Sequence, residues 1–208
     1  MSAKTFFTPA AKTSVTAAIA AIEQRTSAEI VVTLRDASGH YRHSDYLAGL
    51  TLALAGLCFF LYYPADFRVD FFPLEALALF AVGAASSAYL PPLRRLLTSR
   101  ALMDHNVLVG ARAAFVAQGI SRTSGRNGIL VFISMLERRV ELVADIGIDA
   151  EALGSPWKEA TARLASTLRG DPDLDRFVEA LLALAPVLEA AMPRAEDDVN
   201  ELSDEVVS

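Results

Sequence analysis

Cysteine is almost missing from this chain. Cys58 is the single one in 208 residues, beside one tryptophan and three histidines. That excludes a disulfide framework and a cysteine-rich zinc module. It also excludes a cysteine-nucleophile phosphatase, because Cys58 lies inside an uncharged run, Leu47–Tyr63. Charge is scarce as well, at 21% of residues with a formal net of −6. Without a basic excess, nucleic acid is not an expected partner. Neither a phosphate loop, a dinucleotide glycine fingerprint nor a nucleophile elbow is present. With so little charge and 53% apolar residue, the composition also excludes disorder, a coiled coil and a collagen-like chain.

Apolar residue is abundant instead, at 53%, with a mean hydropathy of +0.34. The excess is local. Residues 47–93 hold four charges, Asp66, Arg68, Asp70 and Glu75, while the remainder has ordinary globular composition. Leu47–Tyr63 carries no charge, and Phe71–Leu90 carries only Glu75, near its start. As helices these runs reach about 25 and 30 Å, against a hydrocarbon core of about 30 Å. A transmembrane hairpin is therefore expected over 47–93, with helices at about 47–63 and 71–91. Tyr46, Tyr62, Tyr63 and Tyr89 flank the runs as interfacial aromatics. Gly49, Ala53 and Gly56 share one helical face, as do Gly83, Ala84, Ser87 and Ala88, so the two helices are expected to approach closely. Cys58 is expected to face lipid or the neighbouring helix.

Orientation follows from the arginines. Arg35 and Arg42 precede the first run, and Arg94, Arg95 and Arg100 follow the second; the connecting loop Pro64–Asp70 has one Arg and two Asp. The positive-inside rule puts both termini in the cytoplasm and the short loop outside, with the lipid bilayer as the first partner. No apolar core follows Met1–Thr8, so no signal peptide is expected.

The flanking segments, 1–46 and 94–208, read as one discontinuous α/β domain. Thr8-Pro9 starts a helix to about Arg25. Ala28–Arg35 alternates as a strand, with Ile30, Val32 and Leu34 on one face. Arg94–Gly119 reads as mostly helical, with Gly119 closing it. Ser124–Gly128 is a turn in which Asn127-Gly128 supplies positive φ. Ile129–Ser134 is a continuous apolar strand and Val140–Asp145 an alternating one. Ser155-Pro156-Trp157 starts a helix, with Ser155 as its N-cap and Pro156 at its first position, and a last helix runs from the Asp171–Asp175 turn to about Ala191. The first strand has no partner before the hairpin, so it must pair with a strand beyond residue 128.

Four motifs in this order resemble the TPM-domain family, in its bacterial membrane branch. They are Glu23-x-x-Thr26-Ser27-Ala28-Glu29-Ile30-Val31-Val32, Thr123 to Phe132 around Asn127-Gly128, Glu137 to Ile148, and Trp157 with Asn200–Asp204. The resemblance implies an α/β/α sandwich with a mixed sheet, a weak acid-phosphatase activity in some members, and a calcium site. Arg126 stands where the family's secreted branch has an Asp, and Asp145-Ile146-Gly147 where it has Gly-Tyr-Gly. A positive charge at Arg126 opposes calcium; Asp145 either restores an acidic site or pairs with Arg126.

Candidate chemistry rests on carboxylates at strand ends, Glu29, Asp36, Asp145 and Asp149, where open α/β sheets often bind ligands. Glu29, Asp145 and Asp149 are the candidate catalytic set, with Asp145 and Asp149 the candidate ligands of a divalent cation such as calcium. Arg126 and Asn127 are candidate anion donors. His40 and His43 lack matching metal ligands, and His105 reads as a polar helix position. Asp171-x-Asp-x-Asp175 opens like a calcium loop but has Arg176 where glycine is required, so it reads as a helix cap. Residues 194–208 carry six acids against Arg194. They form either a solvated tail or a docking segment that lays Leu202, Val206 and Val207 on the domain or on a partner. The expected function is an interaction or scaffold module supporting a membrane-protein complex; the alternative is a metal-dependent phosphatase.

Overall fold

The computed structural model describes residues 6–64, 68–170, 172–195, 200–202 and 206–207. Expectations that rest on Met1–Thr5, on Asp66 in the loop, on Asp171 and on the rest of the acidic tail lie outside the described residues. The chain divides into two compact units. One comprises Met1–Ser38 with Asp104–Ser208, the other Gly39–Met103. The second unit extends several residues beyond 47–93 at each end.

The first unit is mixed α/β. Helix α1 (Pro9–Glu23) starts where expected: Thr8 is its N-cap, and its hydroxyl accepts the Ala11 N–H at 3.2 Å. Strands β1 (Glu29–Arg35), β2 (Gly128–Ser134) and β3 (Arg139–Ala144) form a sheet in that order. β1 pairs parallel with β2, and β2 antiparallel with β3. The orphan first strand thus finds its partner across the insert.

Both sheet faces are covered. Ile30, Val32, Leu34, Ile129, Val131 and Ile133 join a core with Ile19 and Ile22 of α1, with Trp157 and Leu164 of α6 (Gly154–Ser166), and with Phe177 and Leu181 of α7 (Leu174–Leu182). Leu188 of α8 (Ala185–Ala191) completes it. Val31, Leu130 and Phe132 face the other way, against Val107, Ala111 and Ala114 of α5 (Arg100–Ala117). Burial on both faces explains why β2 reads as a continuous apolar run rather than an alternation.

One helix expectation is refined and two are corrected. The stretch 94–119 is two helices, α4 (Pro91–Leu97) and α5, because the Thr98 hydroxyl donates back to the Arg94 carbonyl and the Ser99 hydroxyl accepts the Leu102 N–H, opening a new helix. The last helix is likewise divided at Ala183–Leu184, where Pro186 in the first turn of α8 has no N–H to continue the ladder. α6 begins at Gly154, so Ser155 lies inside it rather than capping it. Asp173 does cap α7, accepting the N–H of Asp175 at 3.0 Å and of Arg176 at 3.3 Å.

The second unit holds α2 (Arg42–Tyr62), a 3-10 turn at Val69–Phe71, α3 (Phe72–Tyr89) and α4. α2 and α3 are long and apolar enough to cross a membrane. A Cβ on Gly49 would lie 2.7 Å from the Phe80 carbonyl oxygen, so the backbones touch there. Of the expected smooth faces, Gly49, Gly83 and Ser87 are buried, whereas Ala88 is exposed. At the base, Arg94 donates two hydrogen bonds to Asp45, at 3.1 and 2.7 Å, and the Ser44 and Thr98 hydroxyls meet at 2.6 Å. Cys58 is exposed.

Candidate functional site

The β1–β2 register places Glu29 opposite Gly128 and Ile129 opposite Ala144. Glu29, Arg126, Asn127 and Asp145 therefore gather at one end of the sheet. This is the amino end of the parallel pair, not the carboxyl end where ligands usually bind. Asp36 lies at the opposite end, where its carbonyl accepts the Leu136 N–H at 2.9 Å.

Arg126 and Asp145 dominate this end. Nε and Nη2 of Arg126 donate to the two Asp145 oxygens, each at 2.8 Å, and the Asp145 side chain is only 3% exposed. The Ile146 N–H adds a third donor at 2.8 Å. Burial pushes the Asp145 carboxyl up, but the Arg126 and Ile146 hydrogen bonds and the Arg126 charge outweigh it and hold the group below the usual carboxylate range. The same pairing raises Arg126. Of the two sequence alternatives, pairing with Arg126 is the one observed.

Asn127 is also engaged. Its Nδ2 donates to the Ser27 carbonyl, while its Oδ1 is buried with no hydrogen-bond partner among the described residues. The expected positive φ falls on Arg126 (φ 51°), not on Asn127 or Gly128. Gly128 is needed for a different reason: a Cβ there would lie 2.5 Å from Ile120 Cγ2 and 2.6 Å from the Ile120 carbonyl oxygen.

The other two candidates hold backbone. Asp149 accepts the N–H groups of Glu151 and Ala152, both at 3.0 Å, and so turns the chain toward α6. Glu29, 4% exposed, accepts the N–H groups of Glu201 and Leu202, both at 3.2 Å. Glu29, Asp145 and Asp149 are thus each engaged by a different set of partners. Among the described residues, no three His, Cys, Asp or Glu side chains group as a metal site.

A polar cluster at the carboxyl end of β1 and β2 had no sequence signal. Glu137, 6% exposed, accepts the Ser38 N–H at 2.9 Å and the Ser134 hydroxyl; the Ser38 and Ser134 hydroxyls lie 2.7 Å apart. It ties the segment leaving β1 to the end of β2. On β3, burial pushes the Glu141 carboxyl up; Arg139 and Arg112 oppose this, and Asp104 adds to it.

The sign at Asp145 gives a pH prediction. A carboxylate depressed in the folded state contributes stability above its unfolded pKa, about 3.9, and loses it as pH falls through the folded value. Thermal unfolding of the purified protein should therefore shift down more steeply below about pH 4 in wild type than in Asp145→Asn. Parallel curves for the two would remove Asp145 as the cause.

No family model and no curated protein matches the chain. The NMR structure of BA42 protein from the psychrophilic bacterium Bizionia argentinensis is similar in fold, with a TM-score of 0.57 at 14% identity, over 97% of this chain and 94% of that one. The likeness supports the mixed α/β architecture.

Proposed function

We propose that the chain is an integral membrane protein of the bacterial inner membrane. In this reading α2 and α3 are a two-span hairpin, both termini are cytoplasmic, and the first unit is a TPM-like α/β/α sandwich. That domain serves as an interaction module supporting a membrane-protein complex. The carrying observation is the exposure of the hairpin. Only 11% of the apolar window of either helix is buried, and Leu50, Leu54, Phe59, Leu61, Leu74 and Leu77 all face outward. A core helix of a soluble protein buries such residues; lipid is the solvent that suits them.

The order of the four motifs supports the TPM likeness. The engagement of Glu29, Asp145 and Asp149 with structural partners favours a binding module over a metal-dependent phosphatase. Arg126 supplies the positive partner that a cation would otherwise give Asp145.

Reporter fusions at either terminus should read cytoplasmic; a periplasmic signal would overturn the orientation. Crosslinking in native membranes followed by pull-down should retain a defined membrane-protein partner. Purified protein should release no more phosphate from p-nitrophenyl phosphate than its Asp145→Asn variant, and a wild-type excess would restore the enzyme reading.

A further inference from the structure

β1 is the edge strand of its sheet, and an edge strand offers unpaired N–H and C=O groups to any extended chain. Here the offer is taken by the end of this same chain. Val207 bridges Thr33 in parallel. Its N–H donates to the Val32 carbonyl at 3.0 Å, and the Leu34 N–H donates to the Val207 carbonyl at 2.8 Å. Val206 is buried in the main core.

Further along, two buried carboxylates grip the segment. Glu29 accepts the Glu201 and Leu202 N–H groups. Glu23, which also accepts the Ile30 N–H at 2.9 Å, takes the Asn200 amide at 3.3 Å. The Glu201 carboxylate reaches back to the Ser124 N–H and hydroxyl.

From this geometry we propose that the β1 edge is a peptide-docking site held by the chain's own C-terminal segment, which a partner's extended segment of the same chemistry replaces. The fitting ligand runs parallel to β1. It presents two adjacent main-chain N–H groups to Glu29, then, four residues on, a branched apolar residue for the Val206 pocket, followed by one that continues the main-chain pairing. Recognition by main-chain hydrogen bonds with one apolar pocket is the mode of strand addition. Leaving the edge empty would strip Glu29 of two donors and open the Val32 carbonyl and the Leu34 N–H, so the site favours exchange of occupants over vacancy. The inference rests on the interaction-module reading and names its surface.

The test uses the full chain in detergent and a fluorescein-labelled peptide copying residues 200–208. The wild-type chain should bind it weakly, because the tethered segment competes at high effective concentration. A Val206→Asp, Val207→Pro double variant, which cannot seat its own segment, should bind the peptide at least about tenfold more tightly. A peptide carrying the Val206→Asp change should not bind. Equal binding by a folded double variant and wild type would overturn the proposal.

If the double variant does not fold, the wild-type chain with a fluorophore on its C-terminal residue decides instead. Unlabelled peptide at about 1 mM should free the segment and lower its anisotropy; an unchanged signal would overturn the site. Peptide exchange without capture of any membrane-protein partner would sink the scaffold reading and leave the docking site standing. Capture of a partner by a chain that fails to exchange peptide would do the reverse.

Discussion

Gly83→Leu should destabilise the purified protein by about 3 kcal/mol, the upper range for forcing volume into a packed interface. A Cβ at position 83 would lie 2.6 Å from the Ala48 carbonyl oxygen and 2.9 Å from Gly49 Cα. Both are backbone atoms of α2, so no side chain can swing aside; the helices themselves must part. The clash occurs at the first carbon, so Gly83→Ala should already show much of the loss. Larger residues add the separation of neighbours such as Phe80 from Tyr46, whose rings stack at 6.4 Å. Ala85→Leu, on an exposed position of α3, should leave the thermal midpoint unchanged. Equal behaviour of the 83 and 85 variants would show that the close backbone contact contributes nothing.

Much of this arrangement was legible because it depends on local pattern. Thr8-Pro9 announces a helix start through chemistry contained in four residues. The solid apolar run of β2 reports that both its faces are covered, and strand counting then demands the pairing across the insert; the alternation in β1 does not show that its second face, with Glu29, Val31 and Thr33, is buried as well. The concentration of apolar residue in 47–93 marks the hairpin in the same way. The break before α5 was not legible, because Thr98 and Ser99 fit a helix until their hydroxyls are seen bonding to backbone on either side of it; the break before α8 did have a signal in Pro186. Leu184 and Leu188 keep helical spacing across the break before α8, so periodicity reads straight through it.

The site was less legible, for a physical reason. A carboxylate at a strand end looks alike in sequence whether it binds a ligand or holds backbone, and the choice depends on groups far along the chain. Glu29 is answered by Glu201 and Leu202, and Glu137 by Ser38 and Ser134. Asn-Gly is the usual carrier of positive φ in a turn, yet Arg126 adopts it here. A strained arginine backbone persists because the guanidinium is held in two-point contact with Asp145.

That coupling between backbone strain and a charge pair can be separated by mutation. Arg126→Gly relieves the left-handed φ and taken alone should stabilise the turn. It also leaves the Asp145 carboxylate buried with, among the described residues, the Ile146 N–H alone to answer it. The second effect should win, because an unmatched buried charge costs more than one residue's strain. The expected result is a fall of several degrees in Tm at pH 7. Asp145→Asn in the Arg126→Gly background should then recover most of the loss, since the neutral amide needs no counter-charge. Asp145→Asn alone should fall between, because Arg126 is 46% exposed and water can solvate it. The sign of the interaction is the readout: the double variant must be more stable than Arg126→Gly alone. If the two changes simply add, the pair contributes nothing and strain governs the turn. Lowering the pH should narrow the gap between wild type and Arg126→Gly, because protonating Asp145 removes the charge that makes Arg126 necessary.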